Sequence, residues 1–390
     1  MPRLLRSWLR RPLLGALLGL SAGLAGCGDA PSGGGGTGGR LKVGVVLPMS
    51  GDHATFGEEA WNAMQLALED LKARNSPKAG WDLTLKDEQS KPEAGGTQAK
   101  ALINTAGVHV IVGSVTSGVT KKVFLECKEA GVPGISPGAT NDQVTIEGGP
   151  YTSRICFKDG FQGPALARFA LGEGWKKVAV VEDKSAPYAT GLSESFRKAF
   201  EAAGGTVARE YYKGGDADYS NLVQNVVAAK PDVIFIAGYY GDAGLMLKQA
   251  QGAWGVTPVI GGDGLDSPEL TALAGNPKNP IYFTTHFAAD DPNPLVQSFT
   301  KRYQARFGKA PGAMAAVGYD ALLVLADAAD RCKDPTDRKA LAEAIAATQG
   351  VKGVTGVMSL NNPERTPRKS LVVVRLDGAG FRFVKTVTPE

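Results

Sequence analysis

The feature that most limits what this chain can fold into is an alternation that runs through it twice. Runs rich in β-branched and other apolar residues, at 41–47, 83–86, 108–112 and 132–136, alternate with helical periodicity at 58–73, 97–105 and 119–130. The pattern then restarts, with strands at 177–181, 206–211, 233–237 and 259–260 and helices at 189–203, 219–229 and 244–251 between them. Apolar strands separated by helices belong to parallel sheets covered on both faces, since each crossover lays a helix over the sheet. Two successive units predict an α/β fold of two doubly wound, Rossmann-like lobes. After a run at 282–286 come helices at 294–307, 313–331 and 337–347, then strand character near 356–360 and 370–376 and a last segment, 380–387, able to pair as a hairpin. The late helices would overfill the second lobe. A return to the first lobe is expected, which makes several strand crossings and therefore a multi-strand hinge.

The N-terminal residues read as an address. Arg3, Arg6, Arg10 and Arg11 precede a short apolar run, 12–20, too short to cross a bilayer as a stable helix, which fits a cleaved leader. Leu24-Ala25-Gly26-Cys27 follows and resembles the lipobox of bacterial lipoproteins, which implies cleavage before Cys27 and its diacylation. The stretch 28–39 is dominated by glycine and offers little apolar surface to bury, so it is expected to be a tether. The expected organisation is a signal peptide at 1–26, the lipidated cysteine and tether at 27–39, a first lobe of 40–157 plus 288–368, and a second of 158–287 plus 369–390. Such a body works at a membrane surface, on the periplasmic or outer side.

Charge agrees with that division. The chain carries a formal +4, and the four leader arginines supply it: without them the 43 basic residues fall to the number of acidic ones, 39. A nearly neutral body does not suit nucleic acid, which needs clustered basic charge. No later stretch approaches the ~20 apolar residues of a membrane span. Cys127, Cys156 and Cys332 remain in the body. In an exported protein Cys127 and Cys156, the nearest pair, could join, but reduced and buried thiols fit as well.

In open parallel sheets ligands bind beyond the carboxyl ends of strands. The loop Gly113-Ser114-Val115-Thr116-Ser117-Gly118 follows one such strand and opens a helix, where free N–H groups and the helix dipole suit a carboxylate. A phosphate-loop reading fails because Val119 stands where the lysine must be. Ser117 could also serve as a plain helix cap. Ile135-Ser136-Pro137-Gly138-Ala139-Thr140 follows the next strand, with a glycine permitting close approach and a hydroxyl that both donates and accepts. In the second half Ala237-Gly238-Tyr239 and Gly261-Gly262-Asp263-Gly264 hold equivalent places. Asp263 is the candidate counter-ion for an ammonium group, or else a turn aspartate bonding its own backbone.

These residues together resemble the leucine/isoleucine/valine-binding proteins of bacterial ABC importers, over about 41–384. The resemblance is carried by Val45-Val46-Leu47-Pro48-Met49-Ser50-Gly51 with Phe56-Gly57, by 113–120, by Gly131-Val132-Pro133 with Ser136-Pro137-Gly138-Ala139-Thr140, by Tyr188 before Gly191, by Ala237-Gly238-Tyr239 and by Gly318-Tyr319-Asp320-Ala321. It implies a type I periplasmic binding protein fold and an amino-acid ligand between the lobes, with a permease and ATPase as partners. Ser117, Thr140 and the backbone at Ser117 and Gly138, beside Ala139, would hold the α-carboxylate. Asp263 and Thr140 would face the α-ammonium, Tyr239 would pack over it, and Phe56 and Tyr188 would wall the side-chain end. The sequence departs from the family where Phe56 replaces a tyrosine or tryptophan, where Asp263 replaces a longer glutamate, and where Ser90 and Thr116 replace a cysteine pair. Other same-fold ligands — a short amide, urea or an aromatic acid — stay open, as does a ligand-sensing domain serving a membrane partner. A monomer is expected.

No string nominates an enzyme, a metal or a cofactor. Cys-x-x-Cys and His-Glu-x-x-His are missing, and Gly262-x-Gly264 lacks the third glycine of a dinucleotide loop. Of three histidines, His109 lies in a predicted strand, His53 in the first loop and His286 near a crossing. The acidic pairs Glu58-Glu59, Glu69-Asp70 and Asp87-Glu88 read as solvated faces.

Overall fold

The structure is a computed structural model that describes residues 40–389 apart from Asn276 and Ala379. The leader, Cys27 and the tether lie outside the described residues. The first lobe begins with β1 (Leu41–Leu47), buried at every position but Lys42, then α1 (Ala54–Ala73), β2 (Trp81–Asp87), α2 (Pro92–Ala101), β3 (Val110–Gly113), α3 (Ser117–Ala130), β4 (Gly134–Ser136), α4 (Gln143–Gly148) and β5 (Thr152–Arg154). Hydrogen bonding orders the strands β2-β1-β3-β4-β5, all parallel.

The second lobe repeats the scheme with α5 (Asp159–Gly172), β6 (Lys177–Asp183), α6 (Pro187–Ala202), β7 (Thr206–Tyr212), α7 (Ser220–Ala229), β8 (Val233–Ala237), α8 (Tyr240–Gln249), β9 (Val259–Gly261), α9 (Pro268–Ala274) and β10 (Ile281–Thr285). The chain then runs through α10 (Pro294–Phe307), α11 (Ala313–Arg331), α12 (Arg338–Ala346), a small antiparallel pair β11 (Val351–Gly353) and β12 (Gly356–Met358), and finally β13 (Leu371–Asp377) and β14 (Gly380–Val387). The second sheet has the order β14-β13-β10-β9-β8-β6-β7, parallel from β10 to β7 and antiparallel at the β13–β14 edge. β-Branched and aliphatic side chains fill both strand sets because each sheet is covered on two faces, so β8, for example, is buried along its whole length.

The late helices return to the first lobe. α11 packs along α1, and Gly318 makes this possible: a Cβ there would stand 2.9 Å from Ala60 Cα. Arg302 and Tyr319 both bind Asp70 on α1, and Lys309 pairs with Glu58 at 2.7 Å. The chain thus passes between the sheets three times, at 155–158, 286–293 and 359–370.

Several sequence expectations need correction. Helices α1, α2 and α8 start four or five residues earlier than periodicity suggested, at Ala54, Pro92 and Tyr240. Cys127 and Cys156 are free and buried, so the pairing expectation gives way to its reduced alternative. Burial keeps both thiols protonated, with Cys156 pushed up to about 12, and neither offers the thiolate that oxidation needs. Two of the acidic pairs are not solvated faces. Glu59 is 2% exposed and lies against Gly312 at the start of α11, and Glu88 is fully buried, accepting from Ser114 Oγ at 2.9 Å. Both partners come from remote segments, which local sequence does not reveal.

Candidate functional site

Each sheet reverses its winding at one place: between β1 and β3 in the first, between β6 and β8 in the second. At such a switch point neighbouring loops diverge to opposite faces and leave a crevice at the carboxyl ends. The two crevices face each other. From the first lobe come the β1 loop, the β3 loop with the start of α3, and the β4 loop. From the second come the β8 loop and the β9 loop with Asp263.

The sequence-expected residues sit as follows. α3 opens at Ser117 with Thr116 in the cap position, and no side chain caps it. Ser117 Oγ instead accepts the backbone N–H of Asn141 at 3.2 Å, tying α3 to the β4 loop. That loop is pinned from beneath by the buried Arg154, whose Nη1 donates to the carbonyls of Ala139 at 3.0 Å and Asn141 at 2.8 Å. Ala139 N–H donates to Ser136 Oγ at 3.1 Å, so both backbone groups of Ala139 are taken and its side chain packs in the first-lobe core, away from the other candidates. Gly138 tucks against α11, where a Cβ would meet Met314 Sδ at 2.9 Å. Thr140 lies between these anchors, 1% exposed, with no hydrogen-bond partner for its hydroxyl.

From the second lobe, the Tyr239 hydroxyl takes the backbone N–H of Ser117, and its ring stacks on Tyr188 at 5.1 Å. The resemblance sets Tyr239 over the amine; here its oxygen reaches the helix start. The Tyr188 hydroxyl accepts Gly264 N–H at 2.9 Å. Phe56 lies on the first turn of α1, 5.0 Å from the Tyr240 ring and 6.4 Å from that of Tyr239. Asn141 Nδ2 completes the bridge between lobes with a bond to Pro187 O at 2.8 Å.

Asp263, 3% exposed, does not bond its own turn through its side chain. Gln162 Nε2 donates to Oδ1 at 2.8 Å and His286 Nε2 stands 3.2 Å from Oδ2. Burial holds the His286 pKa below the ordinary value, so the neutral ring puts its proton on Nε2 and leaves Nδ1 bare. The neighbouring surprise is Asp159, the first residue of α5. It is 1% exposed, and among the described residues neither carboxylate oxygen has a hydrogen-bond partner of good geometry, although the Thr140 hydroxyl stands close enough to lower its pKa. Desolvation, then the nearby Asp263 charge, drive its pKa well above the carboxylate range. Thr140 Oγ1, both Asp159 oxygens, Gln162 Oε1 and His286 Nδ1 are all buried and unmatched. Unmatched buried polar atoms are costly and rare, and so many in one place mark a spot shaped for another molecule's donors.

Outward from Tyr239 a cavity of about 730 Å³ opens between the lobes, lined among others by His53, Thr116, Tyr239 and Tyr240. Ser117, Thr140, Tyr188 and Asp263, all buried, do not line it.

A family model described as "Periplasmic binding protein" matches residues 40–380. The Leu/Ile/Val-binding protein homolog 1 of Brucella melitensis is 30% identical over 329 residues, spanning 82% of this chain and 85% of its own. The chain belongs to the periplasmic binding proteins, among the Leu/Ile/Val-binding branch. Its relatives are solute-binding proteins of ABC transporters, not enzymes, and the family works outside the cytoplasm. The leucine-binding protein LivK of Thermotoga maritima superposes with a TM-score of 0.85 at 33% identity, covering 90% of this chain and 99% of its own. A solute-binding protein of R. palustris solved with benzoate gives 0.81 at 26% identity, covering 90% and 97%.

In this periplasmic binding protein the sequence reading brought Ser117, Gly138, Thr140, Tyr188, Tyr239, Asp263 and Phe56 to one interlobe region, with Ala139 turned into the core. It missed Asp159 and Gln162, and gave His286 no role. The available signal was position alone: Asp159 and Gln162 open the helix that follows the first crossing, and His286 follows β10 at the second.

Proposed function

We propose that this protein is the extracytoplasmic solute-binding lipoprotein of an ABC importer, capturing an α-amino acid with an aliphatic side chain between its lobes. The observation that carries the reading is the group of buried, unmatched acceptors around Asp159 and Asp263, opposite the N-terminus of α3. An ammonium supplies three N–H donors and one positive charge, which is what two close carboxylates lack. The Ser117 hydroxyl and its N–H, once the ligand displaces the Tyr239 hydroxyl from it, take the α-carboxylate with Thr140 and the Gly138 backbone; Asp263, Thr140 and Asp159 take the ammonium; Tyr239 packs over it, with Phe56 and Tyr188 as walls. Hydrogen bonds of this charged kind gain strength in a water-poor site. Rotation about the three crossings brings the halves together, and binding shifts the open–closed equilibrium by its preference for the closed form. The lobes divide as 40–157 with 288–368 and 158–287 with 369–390. Cys27 carries the lipid anchor, supported by Leu24-Ala25-Gly26 before it, and the partners are a permease and ATPase; the protein acts as a monomer.

The benzoate-bound relative gives a second reading, an aromatic acid. Two buried carboxylates, beside which Arg154 is already spent on backbone carbonyls, repel a ligand whose only charge is negative, which favours the zwitterion. A thermal-shift screen of the purified protein against amino acids, short amides, urea and aromatic acids separates them. Stabilisation by amino acids alone is expected, and calorimetry should show Asp263→Ala binding the best of them at least about tenfold more weakly. Stabilisation by benzoate or amides in place of amino acids would refute the zwitterion assignment.

A further inference from the structure

The cavity that opens from Tyr239 has one-sided charge. Asp52, Asp183, Asp216, Asp242 and Glu269 line it, and its walls include no lysine or arginine. Lys91, Lys184 and Lys213 adjoin wall residues in the chain, yet none of the three lines it. The bonds that Asp183 and Asp242 accept from the protein all fall on Oδ1: Ser185 and Gly214 on the former, Gly215 and Tyr219 on the latter. Two neutral groups among these carboxylates lack partners. His53 Nδ1, on the cavity wall, is buried and bare, and so is the hydroxyl of Tyr212, a residue 4% exposed that lies behind Gly238. His53 adds no charge of its own, because burial lowers its pKa to about 4 despite Asp52 and Asp183 nearby.

Carboxylates in surplus, with a buried acceptor nitrogen beside them, complement a cation bearing several N–H donors. A concave acidic wall also focuses its field and gathers such cations. Tyr239 belongs to both places: it stacks on Tyr188 within and lines the cavity without. His53 lies 4.3 Å from the Tyr239 ring and 6.4 Å from that of Phe56, so an aromatic cluster stands between the head-group residues and the acidic mouth. A methylene chain lies favourably along such rings, and aromatic faces favour the cation at its end.

We propose that this cavity is a second subsite, taking the distal ammonium or guanidinium of an α-amino acid whose head is held within, so that the preferred solutes are basic amino acids. The inference rests on the head-group reading above and specifies the far end of the aliphatic stem. The test is a calorimetric comparison of lysine with norleucine, which has the same stem without the terminal amine, on the wild-type protein and on Asp52→Asn/Glu269→Gln. Lysine should bind the wild type about tenfold more tightly than norleucine. In the double variant that preference should shrink to about twofold while norleucine binding holds, and added salt should weaken lysine more than norleucine. Norleucine binding as tightly as lysine to the wild type overturns the second subsite and leaves the head-group reading standing. Neither ligand binding overturns both. A lysine preference that survives in the double variant overturns the assignment of the acidic mouth.

Discussion

Asp159→Asn separates a residue that stabilises the fold from one that serves a ligand. The substitution keeps the side chain's shape and removes its charge. Both carboxylate oxygens are buried without a partner of good geometry among the described residues; the groups facing them are Asp263 and Asp142, repulsive, the Thr140 hydroxyl, weakly favourable, and Arg154, attractive but already spent on backbone carbonyls. Asp159 therefore strains the unliganded fold. Its raised pKa means that its contribution to stability is full below the unfolded value near 4 and is lost as pH climbs toward the folded value. An unsatisfied buried group costs about 1–3 kcal/mol, so the asparagine variant should melt about 2–5 °C higher than wild type at pH 8, with a smaller gain at pH 5.

Binding should move the other way. Removing one partner of a buried charge pair costs about 2–4 kcal/mol, or about 30- to 1000-fold in Kd. Because the ammonium needs the ionised carboxylate, wild-type binding should also release a proton and tighten with rising pH, and the variant should show neither effect. The assays are thermal unfolding without ligand, and calorimetry of the best-binding amino acid in buffers of different ionisation enthalpy. A variant that melts lower than wild type, or that binds within threefold of it, would refute the reasoning. Asp263→Asn gives the contrast: Gln162 and His286 already bond that carboxylate, so the same change there should lower both stability and affinity.

Two further outcomes follow from the surroundings of the site. Burial pushes Glu88 up to about 7, so the fold favours its protonated form and stability should fall as pH rises from about 4.5 through 7; Glu88→Gln should abolish up to about 3 kcal/mol of that slope, seen as Tm curves that diverge between pH 5.5 and 8.5, and parallel curves would contradict it. Gly238→Ala puts a Cβ 1.8 Å from the Tyr212 hydroxyl, which should cost about 1–3 kcal/mol and weaken binding through the adjacent Tyr239; Tyr212→Phe in the same chain should restore most of both, and no restoration would place the cost elsewhere.

What could be read from the sequence followed the range of the interactions involved. Strands such as β1, β8 and β14 were legible because their signal is local, a run of apolar or alternating residues. Helix starts were less so: Thr55-Phe56-Gly57 and Tyr240-Gly241-Asp242 carry weak helix formers, and tertiary packing overrides propensity there. The hydroxyl and glycine loops were legible because a switch-point loop must have that chemistry. Glu59, Glu88 and Asp159 were not, since an acid at the start of a helix or after a strand reads as solvated until its distant neighbours are known. Gly312 lies far along the chain from Glu59, and Asp263 far from Asp159. The carboxylates that sequence reading misjudged, Glu59, Glu88 and Asp159, share one property: each is buried by segments from elsewhere, and a fold tolerates such a group only where it gains from it. For Asp159 the described residues offer little: a nearby Thr140 hydroxyl and an Arg154 already spent on backbone carbonyls, set against burial and two like charges. On the proposed reading the compensation comes from the solute, and that makes the least legible residue of the site the one that says most about what the site binds.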